Sequence, residues 1–282
     1  LEAYGPYWGE PAHLSKATYL FIGDTSTMTN ALLAGDVDGT NNFAPEALPV
    51  FENNPKFNVL VCTTEGETIL STNNKKAPFD DLKVRQAMAH AIDRKAIIDG
   101  ATYGFGVPIG APFAPHNSYY VDLTDTYPFD PEAAKALLAE AGYPDGFSAT
   151  LKLPPVNYAR TSGQIIASQF AKVGIKLELI NVEWAQWIED VYTNKDFDLT
   201  IISHVEPFDI GNYANPNYYF GYDNPDFQAL IETLNGTTDE AKRKELAIEA
   251  QTILAKDAVN GYLFELAQTG VWNAKLSGMW QN

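Results

Sequence analysis

Cysteine and positively charged residues are scarce in this sequence of 282 residues. The one cysteine, Cys62, cannot form a disulfide within the chain, and so little cysteine is typical of an oxidising compartment. Lys and Arg number 19 against 36 Asp and Glu, which gives a formal net charge of −17. A surface this acidic repels phosphate backbones. We therefore expect no nucleic-acid partner, and a soluble monomer that meets small molecules, cations among them.

Long apolar runs and familiar catalytic motifs are also missing. No stretch of about 18 apolar residues could span a bilayer, and no signal peptide stands at Leu1. The sequence lacks HExxH, GxSxG, a Gly-rich phosphate loop and a Cys/His pair, and His204 with Glu206 makes a poor zinc site. We predict no enzyme, no cofactor and no metal site. A hydrolase with two distant carboxylates stays open as an alternative.

The pattern of apolar residues predicts an α/β protein. Ala149–Leu153, Ile175–Val182 and Asp198–Ser203 have the composition of strands, and Thr161–Val173 and Trp184–Tyr192 that of the helices between them. A β-α-β-α-β order of this kind predicts adjacent parallel strands in one sheet.

Other elements are predicted from local signals. Ala17–Gly23 is expected to be a strand, and so are Phe57–Cys62 and Glu67–Thr72. An amphipathic helix is expected to run without a break from the Pro78-Phe79-Asp80-Asp81 segment to about Ile98. The capping box Thr237-x-x-Glu240 is expected to open a long helix near the end of the chain.

Five segments carry a family resemblance. They are Tyr7-Trp8-Gly9-x-Pro11, Leu32-Leu33-Ala34-Gly35-Asp36-Val37-Asp38, Pro78-Phe79-Asp80-Asp81-Leu82-Lys83-Val84-Arg85-Gln86-Ala87 with Ala91-Ile92-Asp93-Arg94, the helix Asp130–Tyr143, and Gly221-Tyr222-x-Asn224-Pro225-x-Phe227. In this order they resemble the extracytoplasmic solute-binding proteins of ABC importers, in the oligopeptide/dipeptide-binding family (family 5, cluster C). The segment around Arg85 is similar to the family signature PFxDxxVRxAxxxAIDR. Phe227 stands where the family usually has Asp.

The resemblance implies a two-lobed α/β fold of the periplasmic-binding-protein type that closes on its ligand by hinge motion. Residues 1–70 with 265–282 would form an incomplete first lobe, and residues 71–264 a complete second lobe. The chain would be a C-terminal portion, with its signal peptide removed. The protein would be periplasmic or extracytoplasmic, free or lipid-anchored. It would hand a peptide or small solute to a membrane ABC permease.

Ligand-binding residues are expected where strands end, because open α/β sheets bind ligands there. In the family, an aspartate after the strand that corresponds to Asp198–Ser203 pairs with the α-amino group of the ligand. The family's Trp-x-x-Asp pattern is missing here, so Glu206 or Asp209 would take its place, and a sugar, an opine or a nickel complex stays open as the ligand. The expected ligand-binding residues are Trp184, Ser203, His204, Glu206, Asp209, Tyr213, Thr68 and Ser71.

Overall fold

The computed structural model describes residues 1–279. Its strands are β1 (Gly39–Thr40), β2 (Phe57–Cys62), β3 (Glu67–Thr72), β4 (Val107–Pro108), β5 (Ser148–Leu153), β6 (Lys176–Asn181), β7 (Leu199–His204), β8 (Gly261–Glu265) and β9 (Gln268–Asn273). Its α-helices are α1 (Thr25–Ala34), α2 (Leu82–His90), α3 (Arg94–Ala101), α4 (Pro131–Glu140), α5 (Asn157–Ala171), α6 (Trp184–Trp187), α7 (Pro225–Gly236) and α8 (Glu240–Lys256). Within residues 1–279, each helix is too short or too polar to span a bilayer.

The chain divides into two compact units. One contains Leu1–Leu60 and the described residues that follow Gln268, and the other contains Val61–Gln268. The lobes predicted from the sequence are defined as parts of the protein that move relative to each other. Compactness does not test such motion, so those boundaries stay a prediction.

The first unit holds a three-stranded sheet in the order β1-β9-β2. Its helix α1 begins at Asp24, whose carboxylate accepts the Thr27 N–H, and ends at Gly35 in the left-handed conformation. The strand predicted over Ala17–Gly23 is wrong, since no strand pairs with it among residues 1–279. Its apolar composition suits a strand, but Phe21 is fully exposed and packs on nothing there.

The second unit is built on a six-stranded sheet in the order β4-β8-β3-β7-β5-β6. Strand β5 pairs in parallel with both β6 and β7, which confirms the predicted β-α-β-α-β arrangement. Strand β3 lies in the middle and pairs antiparallel with β7 on one side and β8 on the other. Alternate residues of β3 enter different cores, because successive side chains of a strand point to opposite faces. Ile69 joins the core under α7 and α8, and Leu70 joins the core under α2, α3 and α5.

Two helix predictions need correction. The helix expected to reach Ile98 is broken into α2 and α3, because the Asp93 carboxylate accepts the Ala96 N–H and starts a new helix. The capping box at Thr237 is also wrong. The Thr237 hydroxyl donates back to the Thr233 carbonyl in α7, and Asp239 caps α8 instead.

Candidate functional site

The candidate site lies along one edge of the six-stranded sheet in the second unit. The parallel strands β5, β6 and β7 end at this edge. Glu67 at the start of β3 is paired with His204 at the end of β7 and with Glu265 at the end of β8. We call the five carboxylic residues gathered here the acidic edge: Glu65, Glu67, Glu206, Asp209 and Glu265. The sheet register therefore assembles at one place residues that are up to 200 positions apart in sequence.

His204 orients one buried carboxylate of the acidic edge. Its Nδ1 lies 3.1 Å from Asp209 Oδ2, and its Nε2 lies 2.9 Å from the Tyr219 hydroxyl. Burial raises the pKa of Tyr219 well above its ordinary value, so the hydroxyl keeps its proton. An ionised carboxylate can only accept hydrogen bonds, so Nδ1 carries a proton and donates to Asp209. Asp209 is thus held in one orientation from the sheet side.

Glu67 and Asp209 are buried neighbours that cannot both ionise without cost. Burial raises the pKa of Glu67 well above its ordinary range, and the negative charge of Asp209 raises it further. Burial also raises the pKa of Asp209, but the hydrogen bond and charge of His204 oppose that shift. Glu67 therefore holds the proton and Asp209 carries the negative charge. The protonated Glu67 carboxyl donates a hydrogen bond to Asp209. No other donor reaches the buried Asp209 Oδ1 among the described residues.

A second histidine–carboxylate group lies at the end of β8. His116 Nε2 is 2.8 Å from Glu65 Oε1, and His116 Nδ1 is 3.9 Å from Glu265 Oε1. The Thr64 N–H donates to Glu265 Oε1 at 2.8 Å. Burial raises the pKa of Glu265, while the Thr64 N–H and His116 oppose the rise. In residues 1–279, Glu65 Oε2 and Glu265 Oε2 are buried without a hydrogen-bond partner.

Positive and aromatic groups follow the ends of β5 and β6. Arg160, in the first turn of α5, places a guanidinium nitrogen 3.6 Å from Glu183 Oε1. Its Nε is buried and lacks a hydrogen-bond partner in the described structure. Trp184 is 42% exposed and meets Trp187 edge-on at 5.9 Å. This part of the edge offers a cationic group beside an exposed aromatic ring.

The structure separates the eight predicted ligand residues into groups. His204, Glu206 and Asp209 come together, with ligand atoms all within 4.8 Å of one another. Thr68 and Ser203 are paired directly and point to the other face of the sheet, since side chains alternate along each strand.

The other three predicted residues differ mainly in exposure. Trp184 is exposed on its surface, whereas Ser71 and Tyr213 are buried, and the Tyr213 hydroxyl accepts from Asn260 at 3.2 Å. A ligand would reach these two buried side chains only after covering residues move. The binding role of all eight residues stays a prediction.

Sequence reasoning missed five charged or titratable residues of the site: Glu65, Glu67, Glu265, His116 and Arg160. Glu265 stands at the end of an otherwise apolar strand, which is a signal that the sequence does contain. The strand that Glu67 begins is largely polar and gives no such signal. Arg160 sits one turn into a helix that follows a strand end, where ligands are expected. His116 belongs to an aperiodic loop and gave no signal of its neighbours.

The arrangement can hold a positively charged group. The oxygens of Asp209 and Glu206 with a nitrogen of His204 also form a set that could hold a divalent transition metal. Ion pairs within 4.0 Å among the described residues of the acidic edge come from histidines alone, His204 on Asp209 and His116 on Glu65 and Glu265. The site therefore has uncompensated negative charge.

Comparison with known proteins places these observations in a family. The family described as bacterial extracellular solute-binding proteins, family 5 Middle, matches residues 1–227. Heme-binding protein A of Haemophilus influenzae is 31% identical over 277 residues, which cover 91% of this chain and 49% of that protein. The chain spans about half the length of the curated relatives it matches first.

Solved structures agree. A dipeptide-binding protein from Pseudoalteromonas sp. SM9913 in complex with Met-Leu has a TM-score of 0.82 and 25% identity, over 96% of this chain and 57% of that one. The binding protein AgaA of A. tumefaciens R10, in complex with agropinic acid, has a TM-score of 0.80 and 27% identity, over 92% of this chain and 55% of that one. The predicted two-lobed α/β fold class is confirmed by this likeness. The chain belongs to family 5 of the bacterial extracellular solute-binding proteins.

Proposed function

We propose that this chain is part of the solute-binding component of an ABC importer. The component captures a peptide or peptide-like small solute between two lobes, 1–70 with 265–282 and 71–264, and delivers it to a membrane permease. It acts outside the cytoplasm as a monomer, without catalysis and without a nucleic-acid partner. Family membership and the dipeptide-binding structural relative support this proposal.

The observation that carries the proposal is the free oxygen of Asp209. His204 and the protonated Glu67 hold the carboxylate, and among the described residues no Lys or Arg pairs with it and no further donor reaches its buried Oδ1. A buried carboxylate whose negative charge is not matched by a fixed Lys or Arg is destabilising, and a protonated amine supplies both a further donor and the opposite charge. The α-amino group of a peptide meets this requirement.

A group at the other part of the edge suits the opposite end of a peptide. The Arg160 guanidinium has an unpaired Nε, and its present partner Glu183 is exposed. A guanidinium binds a carboxylate through two parallel hydrogen bonds, so it can exchange Glu183 for a ligand carboxylate. The half-exposed ring of Trp184 offers apolar contact to a side chain between the two charged ends.

Titration calorimetry on the intact protein tests the proposal with dipeptides and tripeptides, their N-acetylated forms and their C-amidated forms. N-acetylation and Asp209→Asn should each weaken binding about tenfold or more, because each removes one partner of a charged hydrogen bond. C-amidation and Arg160→Gln should do the same at the other end. Glu232→Gln, which removes an exposed carboxylate on α7, is the matched control. Peptide binding that ignores both end modifications contradicts the assigned residues.

A metal complex is the second candidate, because His204, Glu206 and Asp209 form the one group of possible metal ligands found among the described residues. The discriminating experiment is titration with Ni²⁺ alone and with a Ni²⁺ chelate. His204→Gln should abolish metal binding, but it keeps the Asp209 carboxylate that would bind the amine of a peptide. Binding of nickel and of no peptide would replace the peptide proposal. Binding of sugars or opines alone would reject both.

A further inference from the structure

The acidic edge holds more negative charge than one ligand amine requires. Two histidine–carboxylate groups flank β3 on opposite sides. His204 and Asp209 lie at the end of β7, and His116 and Glu265 lie at the end of β8, with Glu65 beside them. Each group contains a carboxylate that is almost completely buried and leaves one oxygen without a partner in residues 1–279. The same unsatisfied feature therefore occurs twice.

The burial of these free oxygens indicates that each of them needs a hydrogen-bond donor. The side chains of Glu265 and Asp209 are each 2% exposed, so bulk water does not reach the free oxygens. A buried acceptor without a donor costs about 1–3 kcal/mol, and more when it is charged. Folded proteins rarely keep two such acceptors close together without a partner that supplies donors. A positively charged group with hydrogen-bond donors would satisfy the second group, as at the first.

The access route differs from that of the first group. His116 and Glu65 have half-exposed side chains, 37% and 27%, and they stand in front of buried Glu265. The other titratable groups near Glu265 are Glu67, which lies opposite it on β3, Tyr120, whose pKa is raised by burial and by Asp122, and Glu65. No Lys or Arg pairs with Glu265 or Glu65 among the described residues. A ligand cation would meet no competing fixed cation other than protonated His116.

The sheet fixes the spacing of the two groups. Strands β7 and β8 both pair with β3, so their backbones lie two strand spacings apart, about 10 Å. Two positive groups of one small molecule, separated by up to about 10 Å, can therefore reach both.

We propose that Glu265 and Glu65 form a second cation subsite, so that the preferred ligand is a dication: a small peptide or amine with two positive groups. The first positive group binds Asp209, and this part rests on the proposed function. The second group binds the free oxygens of Glu265 and Glu65, and His116 moves aside. A peptide that carries one lysine in addition to its α-amino group is the simplest ligand of this class.

The test compares matched ligand pairs by calorimetry on the intact protein. The pairs are dipeptides with lysine first or second and their Nε-acetyl forms, and cadaverine against pentylamine. Each is titrated into the wild type, Glu265→Gln and the charge-matched control Glu232→Gln. The glutamine introduced by Glu265→Gln keeps a carbonyl that can accept the Thr64 N–H, and a thermal melt checks that the variant folds.

We expect Nε-acetylation to weaken binding at least about tenfold in the wild type and in Glu232→Gln, and by little in Glu265→Gln. An equal effect of acetylation in all three proteins, or none, overturns the second subsite and leaves the proposed function standing. Cadaverine binding that needs Glu265, with no peptide bound, supports the subsite and overturns the peptide function. Absence of binding by every dication overturns the subsite.

Discussion

Replacing Glu67 with glutamine should make the protein less sensitive to alkaline pH. Glu67 is 2% exposed, and burial with the negative charge of Asp209 raises its pKa far above the ordinary 4.5. Above pH 4.5 the unfolded chain releases this proton and the folded protein keeps it. Stability that Glu67 contributes is thus fully present below pH 4.5 and falls as the pH rises toward the raised pKa.

The magnitude follows from linkage. One proton that is bound in the folded state and absent from the unfolded state changes the free energy of unfolding by about 1.4 kcal/mol per pH unit. Between pH 5 and pH 8 the ceiling is about 4 kcal/mol. Glutamine is neutral in both states and has no such slope. We expect the free energy of unfolding of Glu67→Gln, minus that of the wild type, to rise by about 1–4 kcal/mol over this range.

Urea unfolding followed by tryptophan fluorescence, at pH 5, 6.5 and 8, measures the difference. The side-chain amide introduced by Glu67→Gln can donate a hydrogen bond to Asp209 as the protonated acid can, so the two proteins should be close in stability at pH 5. Glu232→Gln serves as the control for loss of one carboxylate and should track the wild type at each pH. A difference between Glu67→Gln and wild type that stays constant from pH 5 to pH 8 would refute the assignment of the proton to Glu67.

Two further predictions concern stability. Gly146→Ala should lower the free energy of unfolding by about 2 kcal/mol or more, because Gly146 has a φ of +75° and an added Cβ would lie 2.1 Å from the Gly174 carbonyl oxygen. Gly142 is the control: it has a φ of +91° but nothing within 4 Å of an added Cβ. Gly142→Ala should therefore cost only about 1 kcal/mol in the same urea assay. Trp187→Phe should cost about 1–3 kcal/mol by thermal unfolding, because it removes the 2.9 Å hydrogen bond to buried Thr200; a loss below about 0.3 kcal/mol would contradict that reading.

Much of the fold was open to prediction because its signals are local. Strands β2 and β3 were predicted at their observed bounds, since apolar and β-branched runs between turn residues define a strand without knowledge of its partner. The same locality explains the error at Ala17–Gly23. Composition shows that this segment could be a strand, but no strand lies beside it among residues 1–279. A strand exists only where a neighbour completes its hydrogen bonds.

The candidate site was only half predictable for the same physical reason. His204, Glu206 and Asp209 are close in sequence, so the strand end that predicts a binding role for one of them predicts it for all three. Glu67 and Glu265 join them only through the antiparallel pairing of β3 with β7 and β8, and local composition does not encode which strands become neighbours.

The simplest interpretation of the net charge of −17 is that it keeps the protein soluble. Most of the acidic residues agree with this interpretation because they are exposed. Glu67, Asp209 and Glu265 do not fit, since a buried carboxylate contributes nothing to solubility and destabilises the fold unless it is paired. These three buried carboxylic residues lie at one edge of one sheet, and histidines are their only ion-pair partners among the described residues. Stability of the fold alone would not favour this arrangement. A cation that binds there removes the penalty. The same groups that weaken the empty protein at neutral pH are therefore those that would make its binding of a positively charged solute strong.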